Sequence, residues 1–234
     1  MRKFTWKHAV ATLVLSASAA MASAATVKAD FINISPSRGD FDYVLNGNND
    51  ETTAGVFNWQ TVPGGDTDLG LFQSFCIELG QGVGDGVLFS IVPLGNGPLP
   101  GTGTGGPGVN GPMGSAKAAL IGELWARRHA SIFTGTTSQQ RDKAAAFQVA
   151  IWEIVYDDGL NLDGGAFREN DSASWVDMAK TWLGELNGDP NYTTPGLVAL
   201  THPNKQDQVT LIPEPTSLGL LALGGVGAWM RRRR

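Results

Sequence analysis

Apolar positions alternate along much of the first half of this chain and recur at helical spacing in the third quarter. "DFDYVLNGNND" alternates and then turns at Asn46–Asp50. "AGVFNWQTV" and "LGLFQSFCIELG" are rich in aromatic and β-branched residues and predict strands. "DGVLFSIVPLG" predicts another strand, entered through a tight turn at Asp85–Gly86. The pattern then changes period. "SAKAALIGELWARRHASIF" spaces Leu120, Ile121, Leu124 and Trp125 as a helix does. "SQQRDKAAAFQVAIWEIVYDD" predicts a second helix capped by Ser138. In "DSASWVDMAKTWLGELNG", Trp175, Met178, Ala179, Trp182 and Leu186 form one stripe, with Gly188 as the stop. A late strand, "QVTLI", covers Gln208–Ile212. The expected fold is α+β: an antiparallel sheet or sandwich followed by about three helices, in one mature domain over residues 25–211. Within it, Gly95–Gly114 is almost all Gly, Pro, Thr and Asn, has little to bury, and reads as a loop.

The two ends follow other rules. Residues 1–24 begin with Arg2, Lys3 and Lys7, continue with an apolar run from Ala9 to about Ala20, and end on "ASA". That order predicts a signal peptide, cut by signal peptidase. Residues 212–234 carry Pro213-Glu214-Pro215, then an uncharged Gly- and Leu-rich run from Thr216 to Met230, then Arg231, Arg232, Arg233 and Arg234. An apolar stretch closed by arginines is a stop-transfer pattern and predicts a short transmembrane helix.

This tail resembles the PEP-CTERM sorting signal of diderm bacteria. The resemblance implies recognition by a membrane-embedded exosortase and cleavage near Pro213–Pro215. It also implies a membrane-anchored intermediate, held transiently in the inner membrane, and delivery to the cell surface or the extracellular matrix of a biofilm. It says nothing of activity.

Charge agrees with such an address. The formal net charge is −5. Without residues 1–24, which hold three basic residues and no acids, it is −8; without the four terminal arginines too, it is −12. No basic stripe with interleaved aromatics is present, so a nucleic-acid partner is not expected. The single cysteine, Cys76, excludes an internal disulfide and a multi-cysteine zinc site.

Candidate chemistry rests on Gln148. With each residue turned by about 100°, Ala144, Ile151, Trp152 and Val155 fall within about 60° of it, while Glu153 and Asp157 fall about 140–180° away. A glutamine in the apolar stripe needs compensation, because an unpaired buried amide costs about 1–3 kcal/mol. Hydrogen bonds can supply it. So can a covalent bond: attack by the Cys76 thiolate on the Gln148 side-chain carbonyl expels ammonia and leaves a thioester. Glu78, two residues along the strand and so on the same face as Cys76, opposes thiolate formation if it lies close.

"FCIEL" and "FQVAIW" resemble the two halves of the internal-thioester domains of Gram-positive surface adhesins. The matching residues are Phe75, Cys76 and Ile77, then Gln148, Ala150, Ile151 and Trp152. The resemblance implies a Cys76–Gln148 thioester that captures a nucleophile, with Phe75, Ile77, Ala150, Ile151 and Trp152 forming a water-excluding pocket. The expected function is therefore an exported surface or matrix protein capable of covalent adhesion to an amine-bearing ligand. At most this is single-turnover chemistry rather than enzymatic catalysis, and no cofactor is implied. The alternatives are a non-covalent exopolysaccharide-binding or structural matrix protein and, third, a secreted hydrolase, for which no catalytic set is visible. Asp157, Asp158, Asn161 and Asp163 lie close enough in sequence to hold calcium or to form a solvated loop.

Overall fold

The computed structural model describes residues 25–98, 111–170 and 173–212. Its elements are β1 (Thr26–Leu45), β2 (Asn48–Thr61), β3 (Leu71–Cys76), β4 (Val87–Pro93), α1 (Gly114–Ile132), α2 (Thr137–Tyr156), β5 (Phe167–Glu169), α3 (Ser174–Leu183), β6 (Leu197–Thr201) and β7 (Gln208–Leu211). The α+β class is as expected.

The first hairpin has a local cause. Asn46 and Gly47 hold φ of 51° and 84°, the left-handed pair that a two-residue hairpin turn requires. The turn is confined to these residues, and Asn48 already pairs with Leu45. β1 and β2 form a long antiparallel ribbon with register shifts at Phe31/Asn33, Ile34/Ser37 and Arg38/Phe41. Such shifts bend a strand. The bend lets β1 pair with β4 at Thr26–Ala29 and with β5 at Tyr43–Leu45.

All strand pairs are antiparallel, in the order β2-β3-β7-β6-β4-β1-β5, and β1 pairs with β2 as well. The ladder therefore runs from β1 through β2, β3, β7, β6 and β4 back to β1. Closure removes the free edges that an open sheet would expose in these six strands, while β5 joins β1 outside the ring. The helices enter the chain between β4 and β6, and β6 and β7 then return to fill the gap between β3 and β4.

α2 is the centre of the molecule. Every residue from Ala144 to Val155 is buried. The helix packs on β1, β2, β3, β5, α1 and α3, so it has no solvent side over this length. This overturns the placement of Glu153 on an outer face: Glu153 is fully buried. A two-faced reading holds only for a helix packed on one side. The helix start also differs. Thr136, not Ser138, is the cap: its hydroxyl accepts the Gln139 N–H at 3.3 Å, and the Gln139 side chain accepts the Thr136 N–H at 2.8 Å. This reciprocal box pairs two otherwise orphan donors. α3 ends at Leu183, short of Gly188, although Leu186 beyond it is still buried. Both ends of the expected loop Gly95–Gly114 belong to elements: Leu94–Asn96 form a 3-10 turn, and α1 starts at Gly114.

Candidate functional site around Cys76 and Gln148

Cys76 is the last residue of β3 and pairs with Gln208 of β7. Gln148 projects from the middle of α2, and both residues are fully buried. The fold brings them together. The Cys76 N–H donates to Gln148 Oε1 at 2.9 Å, and Gln148 Nε2 donates to the Cys76 carbonyl at 2.7 Å. The amide thus docks on the end of β3 as another strand would. It satisfies its own polar atoms and the backbone groups of Cys76 in one exchange.

The sulfur has donors of its own. Trp152, one turn beyond Gln148, points its indole Nε1–H at Cys76 Sγ from 3.5 Å. The Glu78 N–H donates to Sγ at 3.3 Å, and Sγ makes a close contact with the Glu78 carbonyl. β3 stops at Cys76, so Glu78 is not a strand neighbour on the same face. The chain instead turns so that the Glu78 backbone holds the sulfur. Burial pushes the Cys76 thiol pKa upward; the bonds from Trp152 and Glu78 pull it down, and the Glu78 and Asp207 charges push it up again. The net shift is upward, so the resting sulfur is a thiol.

The remaining residues of the expected pocket divide. Phe75 alternates to the other face of β3, where it packs on Phe147 at 4.6 Å and on Trp125 at 5.7 Å. It seals the site from behind rather than lining the sulfur. Ile77, Ala150 and Ile151 are all fully buried. Trp152 does more than exclude water, since its N–H faces Cys76 Sγ.

Several buried polar groups nearby went unread in the sequence. Trp59 Nε1 donates to Ser74 Oγ at 2.8 Å, and Ser74 Oγ donates to Gln208 Oε1 at 2.8 Å. Gln208 Nε2 donates to the Gln206 carbonyl at 3.3 Å, and Gln206 Nε2 donates to the Glu78 carbonyl at 3.1 Å. This chain runs behind Cys76 and ends on the residue that holds its sulfur. The signal for it was the polar run "KQDQ" leading into a strand with an apolar face. Glu78 is itself fully buried, and burial raises its carboxyl pKa, while the Asp207 N–H and the Gln81 side chain act the other way. Tyr156, whose hydroxyl accepts the Leu79 N–H at 2.7 Å, fixes the segment that follows.

The acidic loop after α2 is engaged elsewhere. Asp158 pairs with Lys117 at 3.3 Å and Asp163 with Lys180 at 2.6 Å. Asp157 accepts the N–H groups of Asp158 and Phe167, and Asn161 accepts that of Asp163. These are turn and ion-pair roles, and no group of three or more metal-binding side chains stands together among the described residues. His129 stacks on Trp125 at 4.2 Å, and its burial lowers its pKa to about 4, so it is neutral at physiological pH.

A surface groove of about 1010 Å³ lies across β1, β2 and β3, lined among others by Asn33, Asn58, Leu71, Phe72, Gln73 and Trp125. Among the described residues, no helix is long and apolar enough to cross a membrane. The sorting residues Pro213, Glu214, Pro215 and Arg231 to Arg234, the expected transmembrane helix and the expected signal peptide lie outside the described residues.

No curated protein and no solved structure matches the chain. Residues 211–234 match the PEP-CTERM protein-sorting motif, so the C-terminus carries a signal for exosortase processing and export to the surface.

Proposed function

We propose that the exported domain is a covalent adhesin that carries an internal thioester between Cys76 Sγ and Gln148 Cδ. The observation behind this reading is the reciprocal pairing of Gln148 with the Cys76 backbone, at 2.7 and 2.9 Å in a site closed to water. The pairing holds the amide against the backbone of the residue that bears the nucleophile, and a reaction between the two requires Sγ and Cδ to stand in contact. The Cys76 N–H on Gln148 Oε1 polarises the carbonyl and opposes the charge that develops there. The Trp152 and Glu78 N–H groups steady negative charge on the sulfur. In the reaction, Sγ gives up its proton and bonds Cδ. The Cδ–Nε2 bond breaks, and the nitrogen leaves as ammonia with that proton. A later amine reverses the bookkeeping: C–N forms, C–S breaks, and the thiol returns. The residues outside the described region give the setting: a signal peptide over residues 1–24, then sorting through Pro213–Pro215 and the terminal arginines.

Intact mass of the purified mature domain tests the reading. The thioester predicts a mass about 17 Da below that of the sequence, restored by methylamine with the addition of the amine. Full mass together with a titratable thiol refutes it. Removal of residues 213–234 is expected to abolish membrane-dependent processing, and unchanged processing counts against the sorting role.

A second reading has one observation in its favour. In the groove, Asn58 Nδ2 donates to Asn33 Oδ1 at 2.9 Å, and Gln73 Nε2 donates to Asn58 Oδ1 at 3.0 Å. Exposed Ile32 and Leu71 flank this row of amides. Planar amides beside apolar surface suit a polysaccharide. On this reading the protein binds matrix polysaccharide without a covalent bond, and Cys76→Ser leaves that binding intact.

A further inference from the structure

Two oxygen acceptors on the segment that follows Cys76 are buried and have no hydrogen-bond partner: Glu78 Oε1 and Gln81 Oε1. Glu78 is fully enclosed, and its other oxygen, Oε2, accepts the Asp207 N–H at 3.3 Å. The backbone of the same residue holds Cys76 Sγ. Gln81 stands beside the Glu78 carboxyl and is half-buried, and its Nε2 reaches the Pro203 carbonyl on an exposed stretch at 3.5 Å. The pair therefore extends from the enclosed sulfur towards the surface. A buried carboxylate oxygen without a donor is costly, and a native structure keeps one for a reason. The missing complement is a group with N–H donors and positive charge, since both orphans are acceptors.

We propose that Glu78 and Gln81 form the amine subsite of the Cys76–Gln148 centre, selecting protonated primary amines as the nucleophile. The assignment rests on the thioester reading above. A primary ammonium enters past Gln81 and hydrogen-bonds both orphan oxygens. Glu78 takes one proton, leaving a neutral amine beside the acyl carbon. The nitrogen attacks Gln148 Cδ, the C–S bond breaks, and the amine's second proton passes to the sulfur. The products are a substituted Gln148 amide, the Cys76 thiol and a protonated Glu78, which returns its proton to solvent. Ammonia lost when the thioester forms leaves by the same route. Asp207, whose carboxylate accepts the His202 N–H at 2.7 Å, Tyr156, which is bound to Leu79, and Tyr43, which feels the Cys76 charge, are other titratable groups around this point. Asp207 and Tyr156 are committed to the backbone and Tyr43 to Asp50.

The mature protein with its thioester intact is the material for the test, and intact mass against time is the readout. Methylamine, protonated at pH 7.5, is compared with hydroxylamine, which is neutral there. Glu78→Gln is expected to keep the mass deficit and to slow methylamine capture at least about tenfold while leaving hydroxylamine capture unchanged. Gln81→Leu, on a half-buried loop, gives the same selective slowing to a smaller degree and serves if the first variant misfolds. Equal rates for variant and wild type with methylamine overturn the subsite, as does equal slowing with both nucleophiles, while the thioester itself stands. A wild-type protein of full mass overturns the thioester and the subsite with it.

Discussion

Gln148 and Glu153 sit five residues apart on the same enclosed helix, and both are fully buried. Gln148 has both ends of its amide bonded to one backbone residue. Glu153 accepts the Asn161 N–H on Oε1 at 2.7 Å and leaves Oε2 without a partner. Burial, with the Asp157 charge adding to it and the Asn161 N–H and Lys117 opposing it, raises the Glu153 pKa to about 7. Glu123, on the neighbouring helix, is buried too but bonds Arg127 and the N–H groups of Asn187, Gly188 and Asp189. Burial works against its charge, yet these donors hold its pKa below the usual value. Burial alone therefore does not decide whether a polar group stabilises the fold. The count of matched donors does.

The sharpest break of this contrast is Gln148→Ala. It opens a cavity and orphans the Cys76 N–H and carbonyl, so we expect a loss of about 4 kcal/mol in urea unfolding. A loss under 1 kcal/mol would mean the pairing carries no stability. Glu123→Gln comes next, at about 2 kcal/mol at neutral pH. Because its folded pKa is depressed, Glu123 stabilises above the unfolded value of 4.5, and this is lost as pH falls through the lower folded value. The variant and wild type should converge in acid. Glu153→Gln has the opposite sign. The folded pKa near 7 lies above the unfolded 4.5, so wild-type stability declines as pH rises across that window. The variant should be more stable by about 1–2 kcal/mol at pH 8 and equal to wild type at pH 4. Greater stability of wild type at pH 8 would refute the orphaned carboxylate. The smallest effect is Thr136→Ala, which removes the cap of α2 and should cost about 1 kcal/mol in thermal melts.

The two sides of α2 differed in how far the sequence revealed them. Gln148 stood out because it interrupted an apolar stripe, and the packing confirms that its side faces inward. Glu153 gave no such sign, since a glutamate opposite the stripe is what an ordinary surface helix carries. Glu78 was visible only as an acid near a cysteine. Its backbone hold on the sulfur depends on the strand ending at Cys76, which alternation along "LFQSFCIELG" does not announce. Gln208 reads as the first residue of a short strand, with Gln206 and Asp207 as polar residues before it, and their burial follows from β7 lying between β3 and β6.

What the sequence determined by itself is local or terminal: a hairpin turn beginning at Asn46, the three helices, most strands, the lone thiol, the misplaced amide and the C-terminal sorting motif. Each rests on side-chain chemistry within a few residues. Tertiary structure alone decided the closed ladder, the enclosure of α2 on every side and the meeting of Cys76 with Gln148, 72 residues away. It also decided which buried acids found donors. Those outcomes depend on long-range pairing, where the free energy comes from surfaces that only packing brings together.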